Sequence, residues 1–377
     1  MLKHLLFAVS MCCLVLLMGC AEESAPVIGC APQLTLRFET TAVQHGMRTT
    51  LLSSDNVQHV SYVQLYIFKG MSADAPCIVS RNVRWTQPVG ATAEQAYALP
   101  LSEFSPDGST TYTFLAVGLD DDPTHTTEGA AYAYGLPDAV TIGTTLGNAV
   151  ARLAKGRTAT DLSRAELFAG TATLQVDPTS NNAVTIELYR RVVGVQVYVT
   201  DIPTDVTDLQ LHLYSNQHTD VPLVKQPDTS DGTYADHGTL FLPNSTCLLD
   251  LPVTDATLKG ATLSGTHLTK QVGSVLSACY LLPIEAPTAT DSHTLQLKAY
   301  KGTTLYKTYN VALGTAKARS YVYPLRANCF YTIGVLNKKE NEPVSLGEAE
   351  SDITRVRDKD CVKNRVKRAN IVRSTLC

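Results

Sequence analysis

Three groups of residues in this sequence have types and spacing that could do chemistry. The first is Asp120-Asp121-Asp122, whose clustered carboxylate oxygens are what a hard divalent cation takes. The run lacks the alternating spacing of a calcium-binding loop, so it reads as an acidic, solvated turn. The second group is histidine. His45, His59, His125, His212, His218, His237, His267 and His293 are scattered, and the neighbours Asp236 and His237 would face opposite ways on a strand. H-E-x-x-H, G-x-S-x-G, a phosphate-binding loop and a glycine-rich dinucleotide fingerprint are all missing. The sequence therefore points away from an enzyme and asks for no cofactor and no metal. The third group is a single thiol, Cys20, placed where it can be acylated.

Met1-Leu2-Lys3-His4 gives a short positive start, and an apolar stretch follows from Leu5 to Met18. That stretch is shorter than the ~20 residues of a membrane-spanning helix and fits a secretory signal. It ends Leu17-Met18-Gly19-Cys20, which resembles the bacterial lipobox. The expected chemistry is transfer of a diacylglycerol to the Cys20 sulfur, cleavage between Gly19 and Cys20, and acylation of the new amine. A single myristoyl chain anchors marginally, but at ~0.8 kcal/mol per buried CH₂ three chains make attachment effectively permanent. Cys12 and Cys13 fall in the discarded signal. Ala21-Glu22-Glu23, acidic directly after the anchor, is similar to the export signal of gram-negative lipoproteins displayed on the outer face of the outer membrane. Residues 1–19 are read as signal peptide and 20–29 as lipidated tether.

The elements that this anchor would carry are strands. Charged residues make up 18% of the 377, and the formal net charge is −4, so no nucleic-acid partner is expected. The length suits two domains. Gln33-Leu34-Thr35-Leu36-Arg37-Phe38-Glu39 alternates with period two, which marks a half-buried strand. In Val60–Phe68 both faces are apolar, with Val63, Leu65 and Ile67 on one and Tyr62, Tyr66 and Phe68 on the other; this is the pattern of an inner strand. Thr111–Leu119 repeats it. Leu146, Ala149, Val150 and Leu153 fall at helical spacing and predict a short helix. Ala172–Val176 and Ala183–Leu188 are expected to pair across the turn between them. Val192–Val199 opens a second series, continued by Asp208–Tyr214, Leu248–Leu251, Ser274–Leu282, the His293–Tyr300 and Thr303–Val311 hairpin around Lys301-Gly302, Tyr321–Leu325 and Phe330–Val335. Strands recurring so regularly, with few helices, predict an all-β fold: two tandem β-sandwiches, Greek-key-like and transthyretin-like, with one or two short helices. The domains are placed at 30–188 and 189–346. Seven cysteines remain beyond Cys20: Cys30, Cys77, Cys247, Cys279, Cys329, Cys361 and Cys377. The number is odd, no C-x-x-C occurs, and buried free thiols are expected.

The run of CAPQLTLRFE, VQLYIF, YTFLAVG, ELFAG, VTIELYRRVVGVQVYV and NCFYTIGV after a lipobox is similar to the fimbrillin-associated anchor family of type V pili. The likeness covers roughly residues 20 to 345 and is most particular at Ile186-Glu187-Leu188-Tyr189-Arg190-Arg191-Val192-Val193-Gly194-Val195. The resemblance implies a two-sandwich fimbrial subunit. Stalk subunits of such pili are exported as lipoproteins, trimmed after an arginine near the start of the first domain, and so lose a strand. The groove left behind takes a strand from a neighbouring subunit, by β-strand addition. An anchor subunit keeps its lipid and its first strand. The expectation for this chain is the uncut form: a lipid-anchored base or accessory subunit in the outer membrane, exposed at the cell surface, whose partners are other fimbrial subunits and, through Cys20, the membrane. Arg37 lies inside a predicted strand, so Arg48 is the candidate maturation site for the alternative, a tip or stalk fimbrillin.

Residues 355–373 hold eight Lys or Arg against two Asp, without a period-two apolar run. The stretch 347–377 is therefore read as a basic, disordered or weakly helical tail, or as the product of a frame change near 348. A further alternative is a surface glycan-binding lipoprotein, which would need exposed aromatics. The one tryptophan, Trp85, reads as a core or edge residue, and many of the seventeen tyrosines sit in strand patterns.

Overall fold

The computed structural model describes residues 32–41, 60–86, 92–120, 129–136, 138–162, 165–200, 202–203, 205–214, 217–218, 220–224, 241–242, 246–253, 262–264, 267–269, 275–284, 286, 293–315, 318–327, 330–333, 335–336, 342–345 and 352–356. Strands dominate, and the fold is all-β with sandwich-like domains. The first group of strands comprises β1 (Gln33–Thr41), β2 (Tyr62–Phe68), β3 (Cys77–Arg84), β4 (Thr92–Pro100), β5 (Thr111–Leu119), β6 (Val150–Arg152), β7 (Leu167–Gln175) and β8 (Asn182–Arg190). The short helices α1 (Gly129–Tyr134) and α2 (Ala159–Leu162) lie between β5 and β7.

Seven of these strands form one sheet in the order β3-β2-β5-β7-β8-β1-β4. The sheet bends on itself at β7 and β8, so that β3-β2-β5-β7 faces β8-β1-β4. Leu34, Leu36 and Phe38 from β1 meet Val63, Leu65 and Ile67 from β2, Phe114 from β5 and Ile186 and Leu188 from β8, all fully buried. The alternation read in β1 is thus its inward face. The bend has a cause in the sequence. β7 and β8 follow one another across a turn, but they bond only at Phe168–Arg190 and Ala169–Tyr189. Beyond that point β7 pairs with β5 and β8 with β1. The expected hairpin pairing of 172–176 with 183–188 does not form. At the crossing, a Cβ on Gly170 would lie 1.8 Å from the Glu187 carbonyl oxygen, so only glycine lets the two backbones pass.

The half-sheet β2-β5-β7 is buried on its other face too. Tyr66, Phe68, Leu115, Val117 and Leu119 pack there against Ala130, Ala133 and Tyr134 of α1 and against Val140, Leu146 and Ala151. This is why VSYVQLYIF is apolar on both faces. The helix expected from Leu146 to Leu153 is instead one 3₁₀ turn, Leu146–Asn148, followed by β6. Val150 is β-branched, and β6 finds an antiparallel partner in Asp220–Pro222, which lies far along the chain.

The second group starts with β9 (Val193–Thr200) and β10 (Asp208–Leu213). β10 sits between Thr246–Pro252 and Leu295–Lys301, and the latter pairs with Thr304–Thr315 across Gly302, whose φ is 58°. β9 pairs antiparallel with Val275–Leu281 and parallel with Phe330–Ile333 and Glu342–Ser345. Val193, Val195, Val197 and Val199 close on Leu209, Leu211, Leu297, Val311 and Tyr331 to make this core. Within the stretch read as a tail, Asp352–Val356 lies parallel to Asn310–Leu313 and joins the second sandwich. A β-ladder accepts such a short run through its main chain, which is why a weak apolar pattern did not reveal it. Residues 357–377 lie outside the described residues.

Candidate functional site

Gly19, Cys20 and Arg48 all lie outside the described residues. Arg48 belongs to the connection between β1 and β2, while Arg37 sits within β1. The Arg37 side chain is about half exposed and its Nε lies 2.9 Å from Glu94 of β4.

β1 is an inner strand. It runs parallel to β8, with Leu34 opposite Asn182 and Thr40 opposite Leu188, and antiparallel to β4, with Gln33 opposite Pro100 and Thr41 opposite Thr92. Burial of each of Leu34, Leu36 and Phe38 contributes about 1.5–3 kcal/mol. Thr35, Arg37 and Glu39 alternate with them on the outer face. The Gln33 N–H donates to Asn181 Oδ1 at 3.1 Å, in the turn leading into β8. β1 thus fills a slot with one parallel and one antiparallel wall. It is held by main-chain ladders and three apolar plugs, with the half-exposed Arg37–Glu94 ion pair on its outer face.

The other structured feature is the link between the two sandwiches, at the Tyr189-Arg190-Arg191 step. β8 ends at Arg190 and β9 begins at Val193. The Arg190 guanidinium is buried against Glu166, with Nε donating to Oε1 at 2.7 Å and Nη2 also paired to it. It lies 5.4 Å from the ring centroid of Phe168 and 5.9 Å from that of Tyr280 on Val275–Leu281. Burial pulls the Arg190 pKa down, and the Glu166 charge more than offsets this, so the guanidinium stays ionised. Desolvation first, and Glu166 second, push the Tyr280 phenol well above its ordinary value. Arg191 is fully buried, and its Nη2 donates to the carbonyls of Ala169 at 3.0 Å and Leu223 at 3.2 Å. Val192, Val221, Leu223, Leu282 and Ala327 complete the apolar core on the outer face of β2-β5-β7. The two arginines therefore weld the sandwiches. Sequence reasoning placed a boundary beside them but gave them no role; two adjacent arginines inside an apolar run were the available signal.

Asp120 has a structural task. Its Oδ1 accepts the Ala130 N–H at 2.8 Å and its Oδ2 accepts the Glu166 N–H at 2.5 Å, which ties α1 to β7. Asp121 and Asp122 lie outside the described residues, as do His45, His59, His125, His237 and the Asp236 beside it. Among the described residues no three His, Cys, Asp or Glu side chains come together as a metal site. His212, on β10, has its Nε2 3.0 Å from Gln210 Oε1. Burial, then Lys298, lower its pKa to about 4, with Asp250 opposing. Cys77 is buried and Cys247 exposed, both as free thiols. Trp85 is packed in the first core, 7% exposed, and Tyr66, Tyr112, Tyr134, Tyr309, Tyr323 and Tyr331 are buried. Those aromatics are unavailable as a sugar platform.

Residues 29–232, more than half of the chain, match the family of fimbrillin-A associated anchor proteins Mfa1 and Mfa2. No curated protein matches. Three solved structures with similar folds are the fimbrial anchor protein Mfa2 from Porphyromonas gingivalis, the tip fimbrial protein Mfa3 from the same species with C-terminal truncation, and a fimbrial assembly protein from Parabacteroides distasonis ATCC 8503. For the first, identity is 14%, 72% of this chain and 78% of that chain are covered, and the TM-score is 0.35. The second has 11% identity, 82% and 97% coverage and a TM-score of 0.40. The third has 14% identity, 82% and 93% coverage and a TM-score of 0.40.

Proposed function

The chain belongs to the family of fimbrillin-A associated anchor proteins, and from that premise we propose that it is the lipid-anchored base or an accessory subunit of a fimbrium. The family match carries this reading: it starts just before β1 and runs through the Arg190-Arg191 weld into the second sandwich. In this role the acyl chains on Cys20 hold the protein in the outer membrane at the cell surface. Residues 30–188 and 189–346 serve as two sandwich domains, joined end to end as a stiff spacer. Other fimbrial subunits join by strand addition, in which main-chain hydrogen bonds supply affinity and alternating side chains fix register. The anchor keeps β1 in its own slot, and the ladders on both sides of β1 support that uncut form.

The work of such a subunit is mechanical, and its stiffness would come from the weld. A polar link exposed to water yields readily, whereas breaking a buried ion pair leaves an uncompensated charge in the interior. Labelling cells with a palmitate analogue tests the anchor. The wild-type chain should take up label, and Cys20→Ser should abolish label and release the protein from the envelope. Unlabelled protein that remains in the envelope would overturn the anchor. Mapping the N terminus of the surface form separates the roles: an acylated Cys20 fits the base, whereas a free end at Thr49 assigns a tip or stalk subunit cut after Arg48.

A further inference from the structure

Among the described residues, large apolar side chains stand well exposed at two places. Met71 and Ile142 are 62% and 70% exposed, and the less exposed Leu305 and Tyr306 form the other pair. The ladders place these pairs at opposite ends. β8 runs from Asn182, opposite Leu34, to Arg190 at the link between the sandwiches. At ~3.3 Å per residue its nine residues cover about 26 Å. β1 starts at the end away from the link, and the 69–76, 105–110 and 177–181 connections lie at that same end. They are knit together: the Thr113 hydroxyl donates to the Gly70 carbonyl at 2.6 Å, Lys69 Nζ lies 4.0 Å from Asp107, and the Gln175 amide donates to the Gly108 carbonyl at 2.6 Å. The 141–145 turn lies beside the start of β3. There the Cys77 N–H donates to the Thr144 carbonyl and the Gly143 N–H to the Cys77 carbonyl, both at 2.8 Å. Met71 and Ile142 thus belong to one corner of the first sandwich. Leu305 and Tyr306 follow Gly302 in the hairpin at the far end of the second, where the Thr207 N–H donates to the Tyr300 carbonyl at 2.8 Å.

We infer that the corner carrying Met71 and Ile142 is a lipid-contacting face: both side chains enter the interfacial layer of the membrane, and the hairpin at Gly302 points away from it. This rests on the reading of Cys20 as the lipid anchor and adds which face meets the bilayer. The chain from Cys20 to Pro32 spans at most ~43 Å, at up to ~3.6 Å per residue. Pro32 lies at the same end as Met71, and its carbonyl accepts the Leu101 N–H at 3.4 Å. β1 faces β2 across the first core, and facing sheets lie about 10 Å apart, so the tether leaves the fold close to the 69–76 connection. The make-up of the corner suits a lipid surface. Gly70–Ala73 and Thr141–Thr145 contain no charged residue, with Asp74 and Asp138 set back from them. The other acids at this end are engaged by their own turns: Asp107 accepts from Ser109 and Thr110, and Asp177 from Thr179 and Ser180. The backbone beneath Met71 and Ile142 is hydrogen-bonded, so their entry into the interface strands few main-chain groups.

Tryptophan fluorescence tests the face. Trp85 is the one tryptophan and is packed in the first core, so an added indole reports its own surroundings. Met71→Trp, Ile142→Trp and Leu305→Trp each replace an exposed side chain, which leaves both cores intact. The lipidated full chain carrying each change is reconstituted in phosphatidylcholine vesicles, with and without brominated acyl chains. Brominated lipid should quench the added emission at 71 and at 142 roughly twofold, as for side chains ~5–10 Å into the boundary of headgroups and acyl chains. Leu305→Trp should be quenched no more than the wild-type chain. Equal quenching at the three positions, quenching at 305 alone, or none at 71 and 142 overturns the inference. If the chain isolated from cells carries no acyl group, the anchor reading falls. The same variants are then held to nickel-chelating lipid in those vesicles by a hexahistidine tag ahead of Ala21. Quenching at 71 and 142 would then support the face without the anchor, and its absence would overturn the face as well.

Discussion

The two faces of the β2-β5-β7 half-sheet are closed by different physics. One face is shut by β1, β8 and β4 through apolar plugs and ladders. The other is shut by a helical excursion, by residues of the second sandwich, and by a buried charge network of Glu166, Arg190, Tyr280 and Asp120. Apolar contacts are non-directional and can be remade with another strand of the same pattern. A desolvated ion pair cannot be swapped so simply, because each partner is costly alone. A single sheet thus has one face closed by apolar contacts and ladders and another closed with the help of a desolvated ion pair.

Several substitutions would break that contrast or sharpen it. The largest effect is expected at the hinge between the faces. Gly170→Ala puts a methyl group into the Glu187 backbone, and the chain should express insoluble or melt far below wild type. Next comes Glu166→Ala, which strands Arg190. It should cost about 3–5 kcal/mol by denaturant unfolding and should loosen the junction between the sandwiches. A change under 1 kcal/mol would mean that the weld is apolar. Phe38→Ala should cost a similar ~3–5 kcal/mol, but with its hydrogen-exchange signature confined to the β1 side. Protection lost equally around Tyr280 would merge the two faces into one cooperative unit. Smallest is a pH effect away from both faces. The His212 folded pKa, about 4, lies below its ordinary value near 6.5. The unfolded chain therefore binds the proton first, and the His212 contribution should fall as pH drops from about 6.5 toward 4. His212→Gln should flatten that part of the stability profile.

Much of this was legible in the residues, for physical reasons. β1 reads clearly because one face is core and one is water, so side-chain type tracks the two-residue period. β2 and β5 read as inner strands because both faces are apolar. β4 was not read: in Thr92-Ala93-Glu94-Gln95-Ala96-Tyr97-Ala98 the alanines, Glu94 and Gln95 favour helix, and pairing with β1 overrides that preference. β3 was missed because Arg81 and Asn82 interrupt its pattern at an edge, where polar residues are tolerated. The β7–β8 turn was found, but its pairing was misjudged, because a glycine crossing depends on backbone separation in space. Of the candidate site, β1 was visible as a pattern. The weld showed only as an odd pair of arginines, whose partners Glu166, Tyr280 and Leu223 lie far off along the chain.

The parallel pairing of β1 with β8 also orders events in time. The Gln33 N–H and its acceptor Asn181 are 148 residues apart in sequence. Contacts at such separation form slowly, since a long loop must close before any of them is gained. β1 is therefore among the last strands to complete its pairing, and its edge toward β8 stays open until the chain behind it has arrived.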